Sequence, residues 1–210
     1  MFPEITRDDV FRLETPRLWL RWPGCADAPA VERIASLPEV ANMTGRIPHP
    51  YPKGAAAAYV EQARGLNAGG AGLRLLAQKG RGDRAVIGMV GVERGVSGTA
   101  EIGYVFHPEV WGEGFATEAI QALIDVVFTL TSYDEIRADA RVVNPASQRV
   151  LQKCGFAYDG SGLLELAARG GLFPVDHFRL DRKAWRSLKG WGVPRFMRRE
   201  TASGQVEAAP

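Results

Sequence analysis

Between His107 and Ala119 the chain reads HPEVWGEGFATEA, and the two glycines of this stretch constrain the fold more than any other feature. Upstream, Glu101 to Phe106 (EIGYVF) has the length and the β-branched and aromatic content of a buried strand. Downstream, Ala116, Ala119, Ile120, Leu123, Val126, Val127 and Leu130 recur at helical spacing. Gly112 and Gly114 therefore join a strand to the start of a long helix. The first turn of such a helix leaves about four N–H donors without intrahelical partners, and the aligned peptide dipoles place roughly half a positive charge there. An anion satisfies both, most naturally a pyrophosphate.

The dinucleotide fingerprint G-x-G-x-x-G shares this order of strand, turn and helix, but Thr117 stands where its third glycine belongs, and no acidic residue ends a following strand in the expected place. A plain tight turn, with Thr117 and Glu118 in an ordinary first helical turn, is the alternative that asks least of the chain. A second segment weighs against it. Asn144 to Phe156 (NPASQRVLQKCGF) opens with a good N-cap and a proline suited to the first helical position, and Gly155 fits the left-handed residue after a helix end. Before it, Ile136, Ala138, Ala140 and Val142 alternate with Arg137, Asp139 and Arg141 as in a half-buried strand. The order is strand, glycine turn, long helix, strand, short capped helix.

With these residues in view the chain resembles the GNAT superfamily of N-acetyltransferases, which bind acyl-coenzyme A at an R/Q-x-x-G-x-G/A turn. The corresponding residues are Trp111, Gly112, Glu113, Gly114, Phe115 and Ala116. Trp111 in place of Arg or Gln is similar to the Rim-type branch, the ribosomal-protein N-terminal acetyltransferases. Leu13 to Arg21 (LETPRLWLR) resembles that branch's opening strand, Val86 to Val92 (VIGMVGV) its third, and Asn144 to Ser147 its N-x-x-S element. The resemblance covers about residues 13 to 186. It implies an α/β (α+β) fold with a central mixed, mostly antiparallel twisted sheet of six to seven strands flanked by about four helices.

The rest of the chain fits one such domain. At 210 residues, with 46% hydrophobic and 24% charged, the composition is that of a globular α/β domain with a sizeable core. We expect an N-terminal extension over 1–12, the domain over 13–188 and a basic, flexible tail over 189–210. Leu18 to Trp22 reads as an opening strand and Ala26 to Leu37 as a helix bounded by Pro38. Pro48, Pro50 and Pro52 make Met43 to Lys53 an extended loop, followed by a helix over Ala55 to Leu66. Gly72 to Gln78 and Ala85 to Val92 read as paired strands joined by a turn at Gly80, Gly82 and Asp83. Cys25 and Cys154 have neither metal nor redox spacing, which predicts free thiols, no metal and a cytoplasmic setting. No apolar run approaches the roughly 18 residues of a membrane span, and the start lacks a signal-peptide pattern. A net charge of +2 argues against nucleic acid as the main partner. Neither a monomer nor a homodimer can be read from the pattern.

The resemblance also implies chemistry, namely acetyl transfer from acetyl-CoA to an amine acceptor such as a protein N-terminus or a small amine. Backbone N–H groups around Trp111 to Ala116, with Thr117, would hold the pyrophosphate, and the pantetheine arm would follow Tyr104, Val105 and Phe106. A β-bulge near Val105 or Phe106 would free an N–H for the thioester oxygen, worth about 3 kcal/mol. Asn144 would approach the pantetheine amides and Ser147 the leaving sulfur. For the base, Glu101 is the first candidate, followed by Glu93, Asp176 and His177, the last of these readable as a hydrogen-bonded core histidine. A noncatalytic acyl-CoA-binding module is the alternative of a different class.

Overall fold

In the computed structural model, which describes residues 1–80, 84–95 and 98–188 and the backbone of 195–196, the apolar alternation of the chain becomes a single nine-stranded sheet. In chain order the elements are β1 (Arg12–Glu14), β2 (Leu18–Arg21), α1 (Ala28–Ala35), α2 (Pro38–Asn42), α3 (Ala55–Ala68), β3 (Gly72–Lys79), β4 (Val86–Arg94) and β5 (Ala100–Phe106). There follow α4 (Phe115–Leu130), β6 (Glu135–Arg141), α5 (Pro145–Lys153), β7 (Ala157–Leu166), β8 (Gly171–Asp181), α6 (Arg182–Ser187) and β9 (Arg195–Phe196). The spatial order is β7–β8–β6–β5–β4–β3–β2–β1–β9. All neighbours are antiparallel except β5 and β6, whose parallel pairing needs a long crossover, which α4 supplies.

Helices cover both faces. Val31, Ile34, Val40, Ala56 and Val60 of α1, α2 and α3 pack with Leu76 and Met89 on one side of the sheet. On the other, Ile120, Leu123, Val127 and Leu151 of α4 and α5 pack with Leu73, Val92, Ile102, Ala138 and Phe178. The alternation along β6 (Ile136, Ala138 and Ala140 buried) therefore leaves Asp139 on the face opposite α5.

The architecture is the mostly antiparallel sheet that the resemblance implies, with more elements than six to seven strands and about four helices. Among the described residues there are nine strands and six α-helices. Part of the excess is local chemistry. Thr15, Pro16 and Arg17 break the opening strand into a hairpin, closed by the Thr15 N–H on the Leu18 carbonyl at 2.9 Å. Pro38 starts α2 instead of only ending α1, because it sits at a first helical position where its missing N–H costs nothing. The segment 1–12 packs onto the domain, with Phe2 fully buried and its N–H on the Gly70 carbonyl. The expected turn residues Gly82 and Asp83 and the expected tail over 189–210 lie outside the described residues, apart from the backbone of Arg195–Phe196 pairing with β1.

Both cysteines are free thiols. Burial pushes the Cys154 thiol up to about 12, whereas Cys25 is exposed. Because the thiolate is the reactive form, native protein should titrate one fast thiol per chain with an aromatic disulfide reagent. The second should appear only on unfolding, and two fast thiols in native protein would contradict this packing.

Candidate functional site

The strand order creates an opening. β5 and β6 pair only at Ala100 with Ile136 and at Glu101 with Arg137, then part, while β5 stays in register on β4 through Phe106. No bulge interrupts the β4–β5 register, so the bulge expected near Val105 or Phe106 is absent. The parting of β6 frees the donors instead. His107 donates its N–H to Ile87 on β4, and alternation gives the Val105 N–H the same direction, toward its partner Met89. The N–H groups of Tyr104 and Phe106 then face the gap. Of the two residues expected to offer a free N–H, Phe106 directs it into the gap and Val105 does not. The Phe106 carbonyl, which also faces the gap, accepts from the indole Nε1 of the half-exposed Trp111 at 2.8 Å.

At the end of β5 the glycine turn has the expected form. Gly112 and Gly114 hold φ of +82° and +83°, a region costly for a residue with a Cβ. Gly114 is the N-cap of α4, and no side chain caps that helix, so the N–H groups of Phe115, Ala116 and Thr117 open outward from its first turn. The flanking hairpin is latched to this turn, which sequence reasoning missed. Thr15 Oγ1 and the Arg17 N–H both donate to Glu118 Oε1, at 2.6 and 2.9 Å. The Arg17 guanidinium binds Glu118 Oε2 at 2.6 Å and the Glu113 carbonyl at 2.9 Å, and lies 4.3 Å from the centre of the Phe115 ring. Beside it is a cleft of about 370 Å³ whose lining includes Arg17, Gly114, Thr117, Gln121 and Lys153. A glycine-lined helix N-terminus flanked by two cations suits a polyphosphate ligand.

Across the gap, α5 contributes the second predicted group. Asn144 caps α5 by accepting from the Ser147 N–H at 3.0 Å, and its amide nitrogen donates to the Met43 carbonyl at 3.2 Å. Gly155 takes φ of +86° just past the helix, as expected. Ser147 Oγ is 2.8 Å from the Tyr104 hydroxyl, which also donates to the Ser147 carbonyl at 3.0 Å. Burial pushes the Tyr104 phenol well above its ordinary range, so it remains a neutral donor. Tyr104, Asn144 and Ser147 thus meet on the α5 side of the gap.

The candidate bases lie elsewhere. Glu101 and Glu93 are cross-strand neighbours, a like-charge pair neutralised by Arg46 and Arg74. Arg46 binds Glu101 at 2.8 Å, and Arg74 binds Glu93 at 2.7 Å. Asp176 faces α5 and is spoken for by Gln148 Nε2 at 2.7 Å and Ser161 Oγ at 2.5 Å. His177 is no core histidine. It is partly exposed, on the face opposite α5, with Nδ1 2.7 Å from Asp139 Oδ1. The C-terminal end of α2 reaches this face, where Arg141 and Arg169 bind the carbonyls of Asn42 and Ala41. No group of His, Cys, Asp and Glu arranged to hold a metal occurs among the described residues, and no described helix is long and apolar enough to cross a membrane.

Residues 17–157 match the acetyltransferase (GNAT) domain model, and the chain belongs to that family. Among individual proteins, it is 36% identical over 89 residues to the uncharacterized N-acetyltransferase p20 of Bacillus licheniformis, a match covering 42% of this chain and 50% of p20. It thus spans about half the length of that curated relative. Solved structures that share the fold include the ribosomal-protein-S5-alanine acetyltransferase of Vibrio fischeri, with a TM-score of 0.70 and 19% identity over 83% of this chain and 98% of that one. Another is the spermidine N-acetyltransferase of Vibrio cholerae in complex with CoA and spermine, with a TM-score of 0.68 and 21% identity over 82% and 99%. At these identities the two structures speak to the fold alone.

Gly114→Ala should cost about 1–2 kcal/mol of stability, because an L side chain is strained at this φ. It should also weaken binding of acetyl-CoA, whereas the exposed, remote Glu39→Ala should change neither. Urea unfolding and calorimetric titration check both effects, and unchanged affinity in Gly114→Ala would contradict the cradle.

Proposed function

We propose that the protein is an acetyl-CoA-dependent N-acetyltransferase that transfers acetyl directly to a primary amine in a ternary complex. The observation that carries this reading is the coincidence, on one edge of the β5–β6 opening, of three elements. These are the uncapped α4 N-terminus, the gap-facing N–H groups of Tyr104 and Phe106, and the Tyr104–Ser147 pair. A site of this kind holds a long anionic thioester at one end and polarises its carbonyl at the other.

In this reading the N–H groups from Gly112 to Thr117 take the pyrophosphate, with Arg17 and Lys153 beside them. Trp111 and Glu113 shape the turn, the former through its indole bond to Phe106 and the latter through its carbonyl bond to Arg17. The Tyr104 and Phe106 N–H groups would donate to the thioester oxygen as negative charge develops on it. Ser147, oriented by Tyr104, would stabilise the departing thiolate on the α5 side, with Asn144 fixing the start of α5. The proton of the acceptor must then leave on the opposite face, where Glu101 and Asp139 stand. An α-amino group, with pKa of about 7.7 to 8.0, needs only mild assistance at neutral pH, which favours an N-terminal or similarly weakly basic amine. The Rim-type features, Trp111 and the N-x-x-S element, support a cytoplasmic enzyme of the ribosomal-protein acetyltransferase kind.

Thermal unfolding with acetyl-CoA, coenzyme A and NAD in parallel tests the ligand. A ligand at 100 times its Kd should add about 2.7 kcal/mol to the native state. Stabilisation by the coenzyme A compounds alone, followed by amine-dependent release of free thiol, is the expected result. Stabilisation without thiol release would favour a noncatalytic acyl-CoA-binding module, and stabilisation by NAD alone would contradict the reading. Ser147→Ala should lower kcat by about 10-fold or more with little change in acetyl-CoA affinity, and equal loss of both would refute its leaving-group role.

A further inference from the structure

Resting on the acetyltransferase reading, the geometry points to Asp139, positioned by His177, as the catalytic carboxylate that receives the acceptor's ammonium and takes its proton. Parallel strands advance together, so the last β5–β6 pair, Glu101 with Arg137, places Asp139 across the opening from Gly103. That is one residue from Tyr104, whose N–H faces the gap. Glu101 lies three residues from Tyr104, about 10 Å back along β5 at the ordinary rise per residue. It lies where the strands are still joined, with Oε1 held by Arg46 at 2.8 Å. Of the carboxylates on this face, Asp139 is the one at the level of the carbonyl-binding donors.

Its surroundings leave one carboxylate oxygen and the space beside it open. Asp139 Oδ1 is bound by His177 Nδ1 at 2.7 Å, and Oδ2 has no hydrogen-bond partner among the described residues. Gly103 opposite is exposed, and a Cβ built on it would meet nothing within 4 Å, so the floor of the opening is clear there. Ser147 and Tyr104 occupy the α5 side, which separates the leaving sulfur from the approaching amine. Gly162 leaves room for the imidazole, since a Cβ there would come 2.7 Å from His177 Nε2.

The step balances without another reactant. The ammonium gives one proton to Asp139 Oδ2. The released lone pair forms the C–N bond, the C–S bond breaks with its electron pair on sulfur, and the remaining displaced N–H proton ends on the thiolate. Asp139 returns its proton to solvent. His177 keeps the carboxylate oriented through its Nδ1 contact with Asp139 Oδ1. The other charged groups around this pair are Arg137 and Arg141 on β6, Arg179 on β8 and its partner Asp159 on β7, and Arg169, whose guanidinium is bound to loop carbonyls.

The test compares variants for amine-dependent thiol release across pH, with the acetyl-CoA-induced rise in Tm as a control for folding and coenzyme binding. Asp139→Asn should lose about 100-fold or more in kcat/KM with that rise intact, whereas Glu101→Gln should lose less than about 10-fold. His177→Gln should lower kcat with little change in KM for the amine, a split that loss of packing alone would not produce. Gly103→Val, compatible with a strand, should raise KM for the amine and leave the acetyl-CoA effect unchanged. Wild-type kcat/KM in Asp139→Asn, loss in Glu101→Gln instead, or an unchanged amine KM in Gly103→Val overturns the assignment and leaves acetyl transfer standing. Wild-type protein that releases no thiol with any amine, though stabilised by acetyl-CoA, overturns both.

Discussion

The parting of β5 from β6 after their second residue pair is the constraint on which the site depends. A continuous parallel ladder would consume the Tyr104 and Phe106 N–H groups and leave no channel through the sheet. The separation persists because each strand is held from its other side, β5 by a full antiparallel register on β4 and β6 by seven paired residues on β8. Unpaired backbone groups within a sheet are costly unless something replaces the lost partners. Here the Trp111 indole satisfies the Phe106 carbonyl, and the Tyr104 carbonyl and the N–H groups of Tyr104 and Phe106 face the gap. In the proposed reading an incomplete ladder is thus both a local defect and the binding device.

The crossover α4 connects this opening to the proposed anion cradle. Because α4 must begin where β5 ends, its N-terminus stands at the mouth of the gap, and the left-handed glycines turn the chain sharply enough to expose its first N–H groups. The Thr15–Arg17–Glu118 latch then ties the β1–β2 hairpin to the first turn of α4. Exposed ion pairs are individually weak. This one gains from a geometry in which a single carboxylate accepts from a hydroxyl, a backbone N–H and a guanidinium, and so fixes the wall of the cleft.

Features governed by near neighbours along the chain are legible in the amino-acid sequence itself. Gly112 and Gly114 take the positive φ that a strand-to-helix turn requires, Asn144 caps its helix through Ser147, and Gly155 ends it. Ser147 is legible as a candidate site residue through its motif, but its bond to Tyr104 spans 43 positions and depends on how α5 is laid across β5. Register is out of reach of such local signals. Whether Val105 or Phe106 offers its N–H to the gap turns on a one-residue alternation set by the His107–Ile87 bond, and the pairing of Asp139 with His177 is set by β6 meeting β8. Arg17 carries no local signal at all, since its partners Glu113 and Glu118 lie about a hundred residues on. Helix boundaries move where a proline that reads as a stop acts as a start, as at Pro38.

The central claim is that one ligand spans the α4 N-terminus and the β5–β6 gap together. Amide hydrogen exchange with and without acetyl-CoA, resolved to single residues, tests it most directly. The account predicts simultaneous slowing at the Gly112 to Thr117 amides and at Tyr104 and Phe106, with Val105, already bonded to β4, unchanged. Slowing at the glycine turn without any at Tyr104 and Phe106 would contradict it, because the thioester end would then lie outside the gap.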